Sequence, residues 1–155
     1  MITTQQLIER FGKPTQDGRA YLVTIKLPFP MRLAWDKNTV INKMRCHRFV
    51  ANQFTAIFNE ILAVYGLKRI QELGIDLYGG CFNFRAMRGG SDYSRHSWGV
   101  AIDLDPERNQ LKTPFNKSNF SKADYLQLHA IFEKYGFENL GKVKGYDAMH
   151  WQIKA

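Results

Sequence analysis

Cysteine is nearly absent: Cys46 and Cys81 are the only two in 155 residues. Two are too few for a disulfide framework and their spacing fits no zinc knuckle, so both read as reduced, partly buried thiols. Long apolar runs are missing too. No segment approaches the ~18 apolar residues of a membrane span, so membrane insertion is not expected. Residues 1–10 lack a basic segment followed by an apolar one, which argues against a secretory leader and for a chain that is cytoplasmic as synthesised. Acidic residues are few, 14 against 22 Lys and Arg, for a formal charge of +8. That excess favours anionic partners in general, but no block of like charge selects one. Repeats, low-complexity tracts and linkers are also lacking, so one domain is expected across residues 1–155.

What is present can fill a core. The chain is 45% apolar and 14% aromatic, which excludes intrinsic disorder as its main description. Thr3 and Gln6 are placed as a capping box for a helix over 4–11, with Gly12 and Pro14 as its stop. Residues 21–26 read as a strand, and 31–35 as a second strand beyond Pro28 and Pro30. Val50, Phe54, Ile57, Phe58, Ile61 and Tyr65 recur at helical spacing and predict a long helix over 44–65, placing Cys46 and His47 within it. Gly66 ends that helix, and a shorter one follows over 67–73. A further helix opens at Ser121 and Asp124 and stops at Gly136, carrying His129 as a structural or surface residue. Two strands close the set. In 100–105, Val100, Ile102 and Leu104 share one face while Ala101, Asp103 and Asp105 share the other; in 148–153, His150 and Gln152 lie opposite Met149, Trp151 and Ile153. Helices flanking a mostly antiparallel sheet imply an α+β fold.

The densest unusual stretch, residues 84–99, runs straight into the 100–105 strand. His96 and Asp103 are seven apart, an odd spacing that on one straight strand sends them to opposite faces. Gly99 permits a bend that brings them together. With His150 from the last strand they form two imidazoles and a carboxylate, a set that holds a catalytic zinc with one position open. A hydrogen-bonded structural His–Asp pair is the competing reading. Asp105 shares the strand face of Asp103 and is an alternative ligand. Asp147, three residues before His150, is a candidate general base or a plain turn residue. Arg85 or Arg88 could polarise a carbonyl or grip a carboxylate; either could equally be a solvated surface charge.

The pattern Ser94-x-His96-x-x-Gly99-x-Ala101-x-Asp103, followed by Asp147-x-x-His150-Trp151-Gln152, resembles the zinc D-alanyl-D-alanine carboxypeptidase and L-alanyl-D-glutamate endopeptidase family. That family includes phage endolysins and shares its fold with Hedgehog domains. Residues 27–36, Leu-Pro-Phe-Pro-Met-Arg-Leu-Ala-Trp-Asp, are similar to the N-terminal part of phage and prophage members. The resemblance implies a Hedgehog- and D-Ala-D-Ala-peptidase-like fold, with zinc held by His96, Asp103 and His150. It implies Asp147 as general base, Arg85 as the arginine at the reacting carbonyl with Arg88 as its alternative, and Ser94 as a supporting residue. Many members carry Glu where Asp147 stands, and Asp there resembles the endopeptidase branch. The implied activity is hydrolysis of a peptide bond in peptidoglycan stem peptides, with L-alanyl–D-glutamate first. A D,D- or L,D-carboxypeptidase and a non-catalytic zinc-containing binding module are the alternatives. The expected partner is peptidoglycan, helped by anionic wall polymers, with neither nucleic acid nor membrane insertion. A phage or prophage origin, action on the wall after release and no separate wall-binding domain complete the expectation.

Overall fold

The structure, a computed structural model, describes all of residues 1–155. Helix α1 spans Thr4–Phe11 and is closed by the expected capping box. Gln6 N donates to Thr3 Oγ1 at 3.1 Å and Thr3 N donates to Gln6 Oε1 at 2.9 Å, satisfying two end groups reciprocally. Its buried residues, Leu7 and Phe11, join the core.

Strands β1 (Leu22–Leu33) and β2 (Asp36–His47) form a long hairpin, followed by helix α2 (Ala51–Glu72) and strand β3 (Leu77–Gly80). Strand β4 (Ala101–Leu104), helix α3 (Leu126–Lys134), strand β5 (Phe137–Asn139), helix α4 (Leu140–Lys144) and strand β6 (His150–Ile153) complete the chain. The sheet order is β2-β1-β3-β4-β6-β5. It is mixed, where a mostly antiparallel sheet was expected: β1 and β3 run parallel, and the other neighbours antiparallel. A parallel pair needs a long crossover, and β2 with α2 supplies it.

Three further sequence expectations are corrected. Residues 44–47 are strand, so the long helix starts at Ala51, and His47 closes β2 instead of sitting in a helix. The two short strands expected at 21–26 and 31–35 are one strand, β1. Pro28 and Pro30 do not break it because they lie where the β1–β2 register shifts, between Lys26 and Met31, so no ladder bond depends on their missing N–H. The last strand begins at His150, not at Ala148. Gly66 does interrupt α2, at φ +74°, before the helical run resumes to Glu72.

One apolar cluster runs through the molecule. Phe54, Ile57, Phe58 and Ile61 of α2 meet Met31, Ile102 and Leu104 of the sheet and Leu128 and Phe132 of α3. Trp151 is fully buried and stacks on Phe132, with centroids 4.7 Å apart. No helix is long and apolar enough to cross a membrane.

Candidate metal centre

His96 does not lie on the strand at all. It sits in a single 3-10 turn, Arg95–Trp98, begun by Ser94, whose Oγ accepts from His96 N at 3.3 Å. Gly99 ends the turn in the left-handed region at φ +71°. A Cβ there would come within 2.9 Å of His47 N, so the site needs both the glycine's backbone freedom and its lack of a side chain. The turn swings His96 onto the side of the sheet where Asp103 lies. Asp103 pairs directly with His150 across the β4–β6 ladder, so their side chains share a face.

One potential ligand atom from each of His96, Asp103 and His150 lies within 4.8 Å of the others. Each imidazole is fixed by its far nitrogen. His96 Nδ1 lies 2.7 Å from the Cys81 carbonyl oxygen, which only accepts, so Nδ1 carries the proton. His150 Nε2 lies 2.9 Å from Gln152 Oε1 and donates to it in the same way. The near nitrogens therefore aim lone pairs inward: His96 Nε2 at 3.2 Å from Asp103 Oδ2, and His150 Nδ1 at 3.1 Å from Asp103 Oδ1. His96 Nε2 is buried without a well-formed hydrogen bond. Two lone pairs and a carboxylate converging on one point repel unless a cation stands between them. The donor set, two imidazoles and one carboxylate with both outer nitrogens engaged, fits zinc with a position left open.

With no metal bound, the same groups draw a proton instead. Burial opposes ionisation of Asp103, but the facing histidines outweigh it and hold the carboxyl well below the usual range. Burial likewise opposes a charge on His96, and Asp103 outweighs it, raising the imidazole above its ordinary value. Asp147 sits in the tight turn between α4 and β6, at φ +69° and 9% exposed. Asp adopts this left-handed backbone more readily than most residues with a side chain, which suits it to the turn. Burial pushes its carboxyl up, and it is close enough to His150, Asp103 and His96 to feel their charges.

The two arginines separate. Arg85 is half-buried beside the cluster, near enough for its charge to act on His96, and its backbone is pinned to the His96 turn. Arg85 N donates to Ser97 Oγ at 3.2 Å, and Ser94 N donates to the Arg85 carbonyl at 2.9 Å. Arg88 is exposed, three residues further along that loop. Asp105 is closed off as a ligand: φ +44° turns it from the strand, and it is buried against Arg108 at 2.6 Å. His47 stacks on Tyr21 and accepts from Phe49 N, and His129 packs within the core against Trp151; both are structural. Cys46 and Cys81 are buried free thiols, and burial pushes Cys46 up to about 12.

Two parts of the site were not assigned from sequence. Gln152 was legible in principle, since it lies two residues from His150 on the same strand face. The Cys81 carbonyl, a backbone group brought in by folding, leaves no sequence signal.

Residues 88–153 match the D-alanyl-D-alanine carboxypeptidase family model. The matched stretch spans His96, Asp103, Asp147 and His150, and begins just after Arg85. This carboxypeptidase match covers less than half of the chain and supports a peptidase acting on peptidoglycan. No match was found among curated proteins or solved structures.

Proposed function

We propose that this chain is a zinc-dependent peptidoglycan peptidase, a single domain that cleaves the L-alanyl–D-glutamate bond of the stem peptide. The observation that carries the reading is the inward convergence of the His96 Nε2 and His150 Nδ1 lone pairs on Asp103. Zinc held by these three residues would polarise the scissile carbonyl and make a water acidic enough to attack at neutral pH. Asp147 takes the proton from the attacking water and passes it to the leaving amine. Burial raises its carboxyl, which suits a group that must both accept and return a proton. Arg85 faces the negative charge that develops on the carbonyl oxygen. Ser94 acts indirectly, by holding the turn that carries His96.

A D,D- or L,D-carboxypeptidase is the second reading, favoured by the match to the D-alanyl-D-alanine carboxypeptidase family. The positive surface suits anionic wall polymers, and an endolysin of phage or prophage origin is the biological setting that fits. Mass spectrometry of fragments released from purified peptidoglycan separates the two. New termini at L-alanine and D-glutamate support the endopeptidase, and released free D-alanine supports the carboxypeptidase. No cleavage by zinc-loaded protein contradicts both.

A further inference from the structure

A cleft of about 540 Å³ has Met149, the residue before His150, in its wall. Its walls include Trp35 from the turn of the β1–β2 hairpin, Arg88 from the loop after Arg85, Leu111 and Lys112 from the segment after β4, and Met149. Its place relative to the cluster follows from the sheet. Asp103 pairs with His150, and in the next row Leu104 N donates to the Met149 carbonyl at 2.9 Å. The cleft therefore reaches the chain neighbour of one candidate ligand, His150.

Two features mark it as more than a surface hollow. Trp35 is 67% exposed, while the other two tryptophans, Trp98 and Trp151, are fully buried. A large aromatic left open on a cleft wall is a platform for a ligand. The charges are also unbalanced. Glu107, the acidic residue of the lining, is engaged by Lys37 at 3.1 Å. Arg88 and Lys112 have no ion-pair partner, so both leave an uncompensated positive charge on the cleft wall.

We infer that this cleft binds the part of the substrate next to the scissile bond through a free carboxylate, with Arg88 and Lys112 as the cations and Trp35 as the packing surface. The inference rests on the peptidase reading and deepens it. The carboxylate has two sources in a stem peptide: the free acid of the D-glutamyl residue, or the C-terminal acid. Arg88 and Lys112 are specificity residues and take no part in bond breaking. Their loss should therefore appear in KM and leave kcat alone.

The test uses zinc-loaded protein and three synthetic stem peptides: the free acid, one amidated at the D-glutamyl carboxylate, and one amidated at the C-terminus. Acrylamide quenching of tryptophan emission reports Trp35, because the other two tryptophans are buried. The free acid should shield Trp35 and show the lowest KM. One of the two amides should raise KM about fivefold, the scale of an exposed charge contact, and thereby name the carboxylate. Arg88→Gln and Lys112→Gln should each erase that difference at unchanged kcat. Trp35→Ala should raise KM about tenfold for all three peptides. Hydrolysis with equal KM for all three peptides, or unshielded Trp35 at saturating peptide, overturns the cleft assignment and leaves the peptidase reading intact. Carboxylate-dependent shielding without hydrolysis of any peptide supports the cleft and overturns the peptidase reading.

Discussion

Carboxylates in and beside neighbouring strands of one sheet are treated in opposite ways. Asp76, 1% exposed just before β3, takes a bidentate pair from Arg32, at 2.8 Å and 2.9 Å. Asp105, just beyond β4, receives Arg108 Nε at 2.7 Å and Nη2 at 2.6 Å. Each of these charges has its own guanidinium, and the account is closed within the chain. Asp103, two residues from Asp105, faces only two imidazoles whose protons point elsewhere. A buried anion with a complete cationic partner is architecture; a half-buried one whose neighbours are imidazoles calls for a cation between them.

The largest expected effect comes from the last strand, which serves both architecture and site. A chain ending at Met149 should lose zinc binding and most of its folding stability. Trp151 alone is a buried aromatic whose truncation costs about 3–5 kcal/mol, against the about 5–15 kcal/mol that holds a whole domain. Removal of Lys154 and Ala155, both exposed, should be mild. Circular dichroism and thermal melts read the difference. His150→Ala should instead stay folded while binding little zinc, as elemental analysis would show.

Next in size is Asp147→Ala, which should keep zinc and lose about 10²–10⁴-fold in kcat, the scale of a general acid–base residue. Retained hydrolysis would remove Asp147 from the chemistry. At the architectural carboxylate, Arg32→Ala should cost about 1–3 kcal/mol in denaturant unfolding, because Asp76 is left buried and unsatisfied. Zinc stoichiometry should be unchanged by that substitution, and this contrast sharpens the comparison. Gln152→Leu should weaken zinc about 10–100-fold without unfolding the chain, because His150 loses the acceptor that fixes its tautomer. A competition titration with a chelator would measure it.

The smallest effect is a pH dependence outside the site. Burial lowers His47 and His129 below their ordinary value of 6.5. The unfolded chain then binds more protons, so their contribution is full above about 6.5 and declines as pH falls. His129→Gln should flatten the decline in Tm below that pH.

The sequence carried the site further than the fold, for physical reasons. His96, Asp103 and His150 were legible as a cluster because few residue types bind metal and Gly99 gives the bend that brings His96 to Asp103. Helix α1 was legible to the residue, since capping boxes are local chemistry. Strand β2 was not: residues 36–40 are all exposed and show no alternation, and the helical spacing that starts at Val50 was extended back over Met44 and Cys46. The parallel β1–β3 pairing was hidden as well, because it joins residues 45 apart at Arg32 and Leu77. Asp105 looked equivalent to Asp103 only while the strand was taken as straight; its positive φ and Arg108 remove it.

The central claim is that the three inward atoms hold one metal ion. Anomalous diffraction at the zinc edge from crystals of zinc-loaded protein tests it most directly. The account predicts one full peak bonded to His96 Nε2, an Asp103 carboxylate oxygen and His150 Nδ1, at about 2.0–2.2 Å. An empty cluster in zinc-loaded crystals, or a peak that leaves His150 Nδ1 unbound, would contradict it.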